Sequence, residues 1–187
     1  MTVVLLSAPS GSGKTTACLQ LTDLVRASGA KVCGIVCPAV FKGRHKCAID
    51  MRDLSSGEQR LLARRIAPGE KATLGDWHFE HRTLAWGQHL LSHLPDAEVF
   101  ILDEIGPLEL LHDGGLSLGI DAARHFPAIL KVLTIRPSLV LPLTERLENM
   151  SVSTIDLSGS NRNEIPRRLF EAFIRSRGRI NSLPPSH

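Results

Sequence analysis

Short apolar runs alternate along this chain with longer segments of helical spacing. The predicted strands cover residues 2–7, 31–41, 99–102, 129–135 and 152–157, and the predicted helices cover residues 14–27, 82–94, 114–125, 138–149 and 165–176. Runs as apolar as residues 99–102 are typical of parallel strands buried on both faces. Strands that alternate with helices in this way predict an α/β fold, a mostly parallel sheet with helices on both faces.

Residues 31–66 depart from this alternation. Turn signals at Lys42-Gly43-Arg44 and Ser55-Ser56-Gly57 separate segments with strand-like alternation, residues 47–53 and 59–64. We therefore predict an inserted β-meander over residues 31–66, with one more short strand in residues 75–79.

The length of 187 residues is enough for one sizeable domain. We expect a single domain over residues 1–177 and a flexible tail over 178–187, which has two prolines and little to pack. The net charge of +3 is too small to indicate a nucleic-acid partner. Because neither a membrane-spanning run nor a signal peptide is evident, we expect a cytoplasmic protein with no membrane partner.

The four cysteines, Cys18, Cys33, Cys37 and Cys47, lack the matching ligand pair that a zinc site needs. Cys33 and Cys37 fall in an apolar run, on the same face of the predicted strand. We expect buried free thiols, which a reducing compartment suits.

The first predicted strand leads into a glycine-rich loop and a helix. Residues 8–15 read A-P-S-G-S-G-K-T and match the phosphate-binding pattern G-x-x-x-x-G-K-[ST], with Ala8 in place of the first glycine. The backbone N–H groups of such a loop and the positive end of the helix cradle a polyphosphate. We expect Lys14 to contact the β- and γ-phosphates and Thr15 to ligate Mg²⁺. The predicted phosphate-binding residues are Ala8, Pro9, Ser10, Gly11, Ser12, Gly13, Lys14, Thr15 and Thr16.

Two acidic residues follow the apolar run at residues 99–102, as in a Walker B strand. Asp103 is predicted to hold the Mg²⁺ ion beside the loop. Glu104 is predicted to activate or position a water against the γ-phosphate. Glu109 either faces this site or starts the next helix, and the pattern does not decide between them.

Phosphoryl transfer also needs positive charge where negative charge accumulates. Arg136 and Arg162 follow predicted strands at the expected edge of the sheet, and each is a candidate catalytic residue. Thr134 is a candidate polar sensor of the γ-phosphate. A surface or structural role stays open for all three.

Several segments resemble one family. Residues 103–110, D-E-I-G-P-L-E-L, resemble the D-E-I-G-x-[ML]-E-L signature of the THEP-type nucleoside-triphosphatases. Residues 160–166, S-N-R-N-E-I-P, are similar to their late N-R-[DN]-x-[IL]-P motif, and residues 136–140, R-P-S-L-V, are similar to a segment of bacterial members. The P-loop also lies at the N-terminus, and the resemblance extends to about residue 175.

The resemblance implies a RecA-like P-loop core that hydrolyses ATP, GTP and other nucleoside triphosphates to the diphosphate with Mg²⁺, with broad base selectivity and slow turnover. It gives Asp103 and Glu104 roles toward metal and water, and it places Asn161 and Arg162 near the nucleotide. Asn163 stands where the family often has Asp.

Other functions stay open. A kinase would need an acceptor pocket, for which Arg44, Arg52 and Arg60 of the predicted meander are candidates. A nucleotide-dependent switch or adaptor would use hydrolysis only to reset a conformation. Nucleic-acid binding is disfavoured because aromatic side chains that stack on bases are scarce: tyrosine is absent and there are only six phenylalanines. The oligomeric state is not indicated. The arginines that concentrate near the C-terminus are Arg162, Arg167, Arg168, Arg175, Arg177 and Arg179.

Overall fold

The computed structural model describes residues 2–67, 69–70, 72–73, 75–111 and 114–182. Its strands are β1 (Thr2–Ser7), β2 (Val32–Val36), β3 (Ala39–Lys42), β4 (His45–Asp53), β5 (Gln59–Arg65), β6 (Trp77–Phe79), β7 (Val99–Ile105), β8 (Leu130–Ile135) and β9 (Ser151–Asp156). Its helices are α1 (Lys14–Ala27), α2 (His81–Ser92), α3 (Pro107–Leu111), α4 (Leu118–His125), α5 (Val140–Arg146) and α6 (Ile165–Asn181).

The nine strands of the described ranges form one sheet in the order β6-β5-β4-β2-β7-β8-β1-β9, with β3 paired to β4 outside this path. The five strands from β2 to β9 in that order are parallel. The strands of the predicted meander, β3 to β5, and the short β6 extend this sheet antiparallel. The predicted α/β class is confirmed, and the meander and the parallel strands share one sheet.

Helices cover both faces of the parallel strands. The side chains of β1 therefore alternate between two apolar cores, one on each face of the sheet. Val4 and Leu6 belong to the apolar cluster that includes α1 and α6. Val3 and Leu5 belong to the opposite cluster, with residues of α2 and α4. All four side chains are buried, as expected for a strand in the middle of a layered fold.

The predicted strand over residues 31–41 is two strands in the structure. β2 ends at Val36, and β3 begins at Ala39 and pairs antiparallel with β4. Pro38 separates the two strands, and proline cannot donate to a ladder inside a sheet. The chain therefore leaves the parallel strands at Cys37, which lies at the candidate site.

Two helical predictions and the predicted tail need correction. The helix predicted over residues 114–125 begins only at Leu118, and the one over 138–149 is a 3-10 turn at Pro137–Leu139 followed by α5. Pro142 lies in the first turn of α5, where its missing N–H costs little. The predicted tail is wrong for residues 178–181, which continue α6. Residues 183–187 lie outside the described residues.

None of the described helices is both long enough and apolar enough to cross a bilayer.

A close approach between β2 and β7 requires a glycine. Gly34 has φ +109°, and a Cβ built on it would lie 1.9 Å from the carbonyl oxygen of Ile101. The backbone of a central strand cannot move away without breaking the pairing of Gly34 with Ile101. A side chain at this position therefore meets both a strained conformation and a steric clash.

We expect Gly34→Ala to lower the free energy of unfolding by about 3 kcal/mol or more. Chemical denaturation of the purified variants measures this. Gly159→Ala is the matched control, because a Cβ there meets nothing within 4 Å and its φ is outside the left-handed region. Equal stability of the two variants would contradict the close approach.

The carboxyl end of β7 is irregular. Its pairing with β8 shifts register between Leu102 and Ile105, so Asp103 and Glu104 form a bulge. Glu104 has φ 67°, a left-handed conformation that is uncommon for residues other than glycine. Such strain persists only where the surrounding structure enforces it, and it is concentrated at functional sites.

Because of this strain, we expect glycine to give a more stable protein than alanine at position 104, the reverse of the order expected inside a helix. Glu104→Gly should be more stable than Glu104→Ala by about 1 kcal/mol, since both variants lose the carboxylate but only glycine relieves the backbone. The same pair at Asp23, an exposed position of α1, should show the opposite order by about 1 kcal/mol. Thermal and urea unfolding of the four variants measure these differences. If Glu104→Ala is as stable as Glu104→Gly or more stable, the backbone of Glu104 is not strained.

Candidate functional site

The candidate site lies at the sheet edge where the five parallel strands end. Two backbone hydrogen bonds tie the loop after β1 to this edge. The Ala8 N–H donates to the carbonyl of Ile135 on β8 at 3.1 Å, and the Leu157 N–H donates to Ser7 at 2.8 Å. Ligands of open α/β sheets bind at this edge, so the fold places the loop where the sequence requires it.

The loop at residues 8–13 has the curled backbone of a phosphate cradle. Gly11 and Gly13 both adopt positive φ, 78° and 95°. The Ser12 hydroxyl donates to the Pro9 carbonyl at 2.7 Å and closes the turn from inside. No side chain caps the N-terminus of α1, whose N-cap residue is Gly13. The N–H groups at this end of the helix are therefore left without a side-chain acceptor, as in helices that bind anions.

Lys14 is buried at the base of the loop. Its Nζ donates to the carbonyl oxygens of Ala8 at 2.8 Å and Pro9 at 3.0 Å. Burial lowers the pKa of the ammonium, while the nearby charges of Glu104 and Asp103 raise it. Lys14 thus holds the loop and lies beside both acidic residues.

Asp103 is buried and anchored on both sides. One carboxylate oxygen accepts the N–H of Cys37 at 3.2 Å, and the other accepts the hydroxyl of Thr134 at 2.6 Å. The same Thr134 oxygen accepts the N–H of Glu104 at 2.8 Å. The structure thus places the hydroxyl of Thr134 between the two acids, where its hydrogen bonds hold the bulge. Its contact with a γ-phosphate stays a prediction.

Glu104 projects from this bulge toward the P-loop. The residue is exposed overall, yet protein atoms around its carboxylate desolvate it, and this effect and the charge of Asp103 raise its pKa. Lys46, Lys14 and Arg136 oppose the rise. A carboxylate with a raised pKa next to three cations suits a group that takes a proton.

These groups border a cavity of about 360 Å³ between the P-loop and the β3–β4 hairpin. The loop and α1 contribute Ser10, Gly11, Gly13, Lys14, Thr15, Thr16 and Leu19. The opposite wall is formed by Cys37, Pro38, Ala39, Phe41, Lys46 and Glu104. The structure therefore brings Lys14, Thr15 and Glu104 together at one cavity, as the sequence predicts.

Arg136 is also brought to this place. It follows β8 and borders a small cleft together with Ser10, Lys14, Glu104 and Thr134. Among the described residues, no hydrogen bond or ion pair engages its guanidinium. A free cation beside Lys14 and Glu104 agrees with the predicted role toward transferred phosphate.

Asn161 and Arg162 are not brought to the P-loop cavity. The Asn161 amide folds its own turn, accepting the Ser158 N–H at 2.8 Å and donating to the Asp156 carbonyl at 2.9 Å. Arg162 is exposed in the same turn, after the strand β9 that pairs with β1. Their nucleotide contacts therefore stay a prediction.

Glu109 lies in α3, and its carboxylate accepts two backbone N–H groups, from Gly106 at 2.9 Å and from Leu116 at 3.3 Å. Glu109 therefore stabilises the backbone around α3, and it also borders a recess together with Glu104 and Arg136. Two of the meander arginines make surface contacts, Arg52 with Gln59 and Arg60 with Glu58. Neither borders the P-loop cavity, and Arg44 is exposed in the β3–β4 turn.

In the described ranges, no group of three or more His, Cys, Asp or Glu side chains converges as a metal cluster. The four cysteines are free thiols, and Cys18, Cys33 and Cys37 are buried as expected, whereas Cys47 is half-buried. Burial raises the pKa of the Cys33 thiol to about 12. Cys18 and Cys33 are therefore core residues, whereas Cys37 also borders the P-loop cavity.

Sequence reasoning missed the hairpin wall of the cavity. Phe41 and Lys46 are cross-strand neighbours there, and neither belongs to a motif. The available signal was Pro38, which ends the central strand directly before the hairpin.

The sequence model of a family described as NTPase matches residues 3–170 of the chain. Among curated relatives, the nucleoside-triphosphatase THEP1 of Methanopyrus kandleri is 31% identical, over 91% of this chain and 94% of the relative. The THEP1 of Thermofilum pendens is 29% identical, over 88% of this chain and 91% of the relative.

Two solved structures share the fold. A solution structure of a human cancer-related nucleoside triphosphatase aligns with a TM-score of 0.67 at 24% identity, over 92% of this chain and 97% of that one. The crystal structure of THEP1 from Aquifex aeolicus aligns with a TM-score of 0.61 at 21% identity, over 92% and 99%. With the family match over residues 3–170, the chain belongs to the NTPase family.

Proposed function

We propose that this protein hydrolyses nucleoside 5′-triphosphates to the diphosphate and phosphate with Mg²⁺. The observation that carries the proposal is the meeting of an uncapped P-loop helix, Lys14 and the strained Glu104 at one cavity. The family resemblance supports broad use of ATP, GTP and other triphosphates, and slow turnover. The buried free thiols support a cytoplasmic location.

Phosphate binding follows from the loop. The backbone N–H groups of residues 10–16 and the positive end of α1 attract the β- and γ-phosphates. The Lys14 ammonium, which holds the carbonyls of Ala8 and Pro9, lies where it can add a charge-assisted hydrogen bond to these phosphates. This group is positioned by the protein before the ligand arrives, which limits the entropy lost on binding.

The residues present fit Mg²⁺. Its preferred ligands are oxygens, and it usually takes one or two carboxylates together with substrate phosphates and water. The Thr15 hydroxyl borders the cavity, and the Asp103 carboxylate retains lone pairs beyond its two hydrogen bonds. When bound, the ion supplies charge neutralisation at the phosphates.

Glu104 is the proposed general base. Its backbone is fixed by the Thr134 hydroxyl and its carboxylate borders the cavity. From this position it orients a water and accepts its proton as the water attacks the γ-phosphorus. Arg136, in the adjoining cleft, is placed to stabilise the negative charge of the transition state.

The proposal predicts that Glu104→Gln lowers kcat by about 10²- to 10⁴-fold with little change in nucleotide affinity, because it removes the base but keeps the shape. Lys14→Ala should weaken triphosphate binding as well as turnover, by about 10²-fold or more. Phosphate release from ATP, GTP, CTP and UTP measures both, with and without chelation of Mg²⁺. Glu148→Gln, an exposed carboxylate outside the P-loop cavity, is the matched control. Undiminished release by Lys14→Ala and Glu104→Gln would overturn the assignment.

One observation favours a second function, phosphoryl transfer to an acceptor. A recess of about 120 Å³ on the other side of Glu104 is lined largely by apolar side chains. These are Ile49, Leu62, Phe79, Leu84, Pro107 and Leu116, and Glu104, Glu109 and Arg136 provide the charged groups of the lining. A small acceptor with a hydroxyl group would place it next to the same carboxylate that activates water.

For hydrolysis, we expect phosphate release to be indifferent to added nucleosides or nucleotides and no phosphorylated acceptor to form. Chromatography of reactions with γ-labelled triphosphate measures both products. Leu62→Arg is a variant that fills the recess. If wild type transfers label to an acceptor and Leu62→Arg does not, the protein is instead a kinase. Leu61→Arg is the control, because Leu61 is exposed on the same strand and does not border the recess.

A further inference from the structure

The β3–β4 hairpin grows directly out of the candidate site. Its root is Cys37, whose N–H donates to Asp103. A two-residue turn at Gly43 and Arg44 pairs Lys42 with His45 and Phe41 with Lys46. The hairpin therefore reaches over the P-loop from an anchored base, and its residues form one wall of the cavity.

Lys46 is the cation of this wall. It borders the cavity opposite Lys14 and Thr15, and it is half-buried. Its Nζ lies 5.2 Å from the centre of the Trp77 ring, and no carboxylate forms an ion pair with it among the described residues. A cation held only by an aromatic face at a partly exposed site is readily transferred to a stronger anion.

Lys46 lies close to the groups that would carry out the proposed chemistry. Lys46 and Glu104 border the same cavity beside the P-loop. Lys46 therefore lies on the same side of the cavity as the carboxylate proposed to face the attacking water. Lys14, by contrast, is anchored to carbonyls of the loop at the opposite wall. A terminal phosphate between the two walls would have a cation on each side.

We propose that Lys46 is a further catalytic residue, which the β3–β4 hairpin supplies in cis to the γ-phosphate of the bound triphosphate. This inference rests on the proposed hydrolase function. In the step it assists, the water oxygen bonds to the γ-phosphorus and the bond from that phosphorus to the β–γ bridging oxygen breaks. The water proton goes to Glu104 and the electron pair of the broken bond stays on the diphosphate. Lys46 remains protonated and stabilises the charge on the γ-phosphate oxygens.

Three variants test the role in turnover. Lys46→Met should lower kcat by about 10²- to 10³-fold, because it removes a preorganised charge from the transition state. Lys46→Arg should stay within about tenfold of wild type, since charge and reach are kept. Lys42→Met is the matched control, because Lys42 is in the same hairpin and outside the cavity lining. Thermal unfolding of each variant separates lost function from lost fold.

Nucleotide affinity provides a readout that does not depend on turnover. By calorimetry, wild type and Lys42→Met should prefer a nonhydrolysable triphosphate to the diphosphate. Lys46→Met should lose this preference by about tenfold or more and keep its diphosphate affinity, because only the γ-phosphate contact is gone.

The two hypotheses fail in different ways. A folded Lys46→Met protein with wild-type kcat and an unchanged triphosphate-to-diphosphate affinity ratio overturns the role of Lys46 and leaves the hydrolase intact. Wild-type protein that releases no phosphate overturns the hydrolase, and the affinity ratio then still decides whether Lys46 contacts a γ-phosphate. Wild-type protein that binds neither nucleotide overturns both.

Discussion

The site depends on a short hydrogen-bond network at the end of β7. Asp103 accepts from Cys37 after β2 and from Thr134 on β8, and Thr134 in turn accepts from the backbone of Glu104. Three neighbouring strands are thereby fixed to one buried carboxylate. In the positive-φ conformation of Glu104, the N–H of this bulge residue has Thr134 as its partner, so the network supports the strained backbone. An unpaired buried N–H would cost about 1–3 kcal/mol, comparable to the strain itself.

The strand order places this local network beside the P-loop and so assembles the candidate site. β8 lies between β1, which carries the P-loop, and β7, which carries the acids. Lys14 and Glu104 therefore converge over the end of β8, and Arg136, the residue that follows β8, emerges between them. On the other side of β7, Cys37 and Pro38 connect β2 to the β3–β4 hairpin. The P-loop cavity thus has a floor of parallel strands and a wall contributed by the antiparallel extension.

The parts of this arrangement that depend on local signals could be predicted from the sequence. The glycines of the P-loop and the apolar run before Asp103 are local signals, and they are enough to place Lys14, Thr15 and Asp103 at the carboxyl edge of the sheet. The parts that depend on pairing between distant segments could not. The position of Lys46 depends on how β4 folds back on β3. The role of Thr134 depends on a register shift between β7 and β8. Lys131 is buried in a strand predicted as apolar, because the end of α4 offers the Ala123 carbonyl to its amine.

The left-handed backbone at Glu104 also has a genetic meaning. A glutamate codon becomes a glycine codon by one nucleotide change, and glycine is the residue that this backbone favours. That single change would relieve the backbone strain at position 104 and remove the carboxylate that we propose acts on water. Backbone relaxation and the proposed chemistry therefore make opposite demands on this one residue.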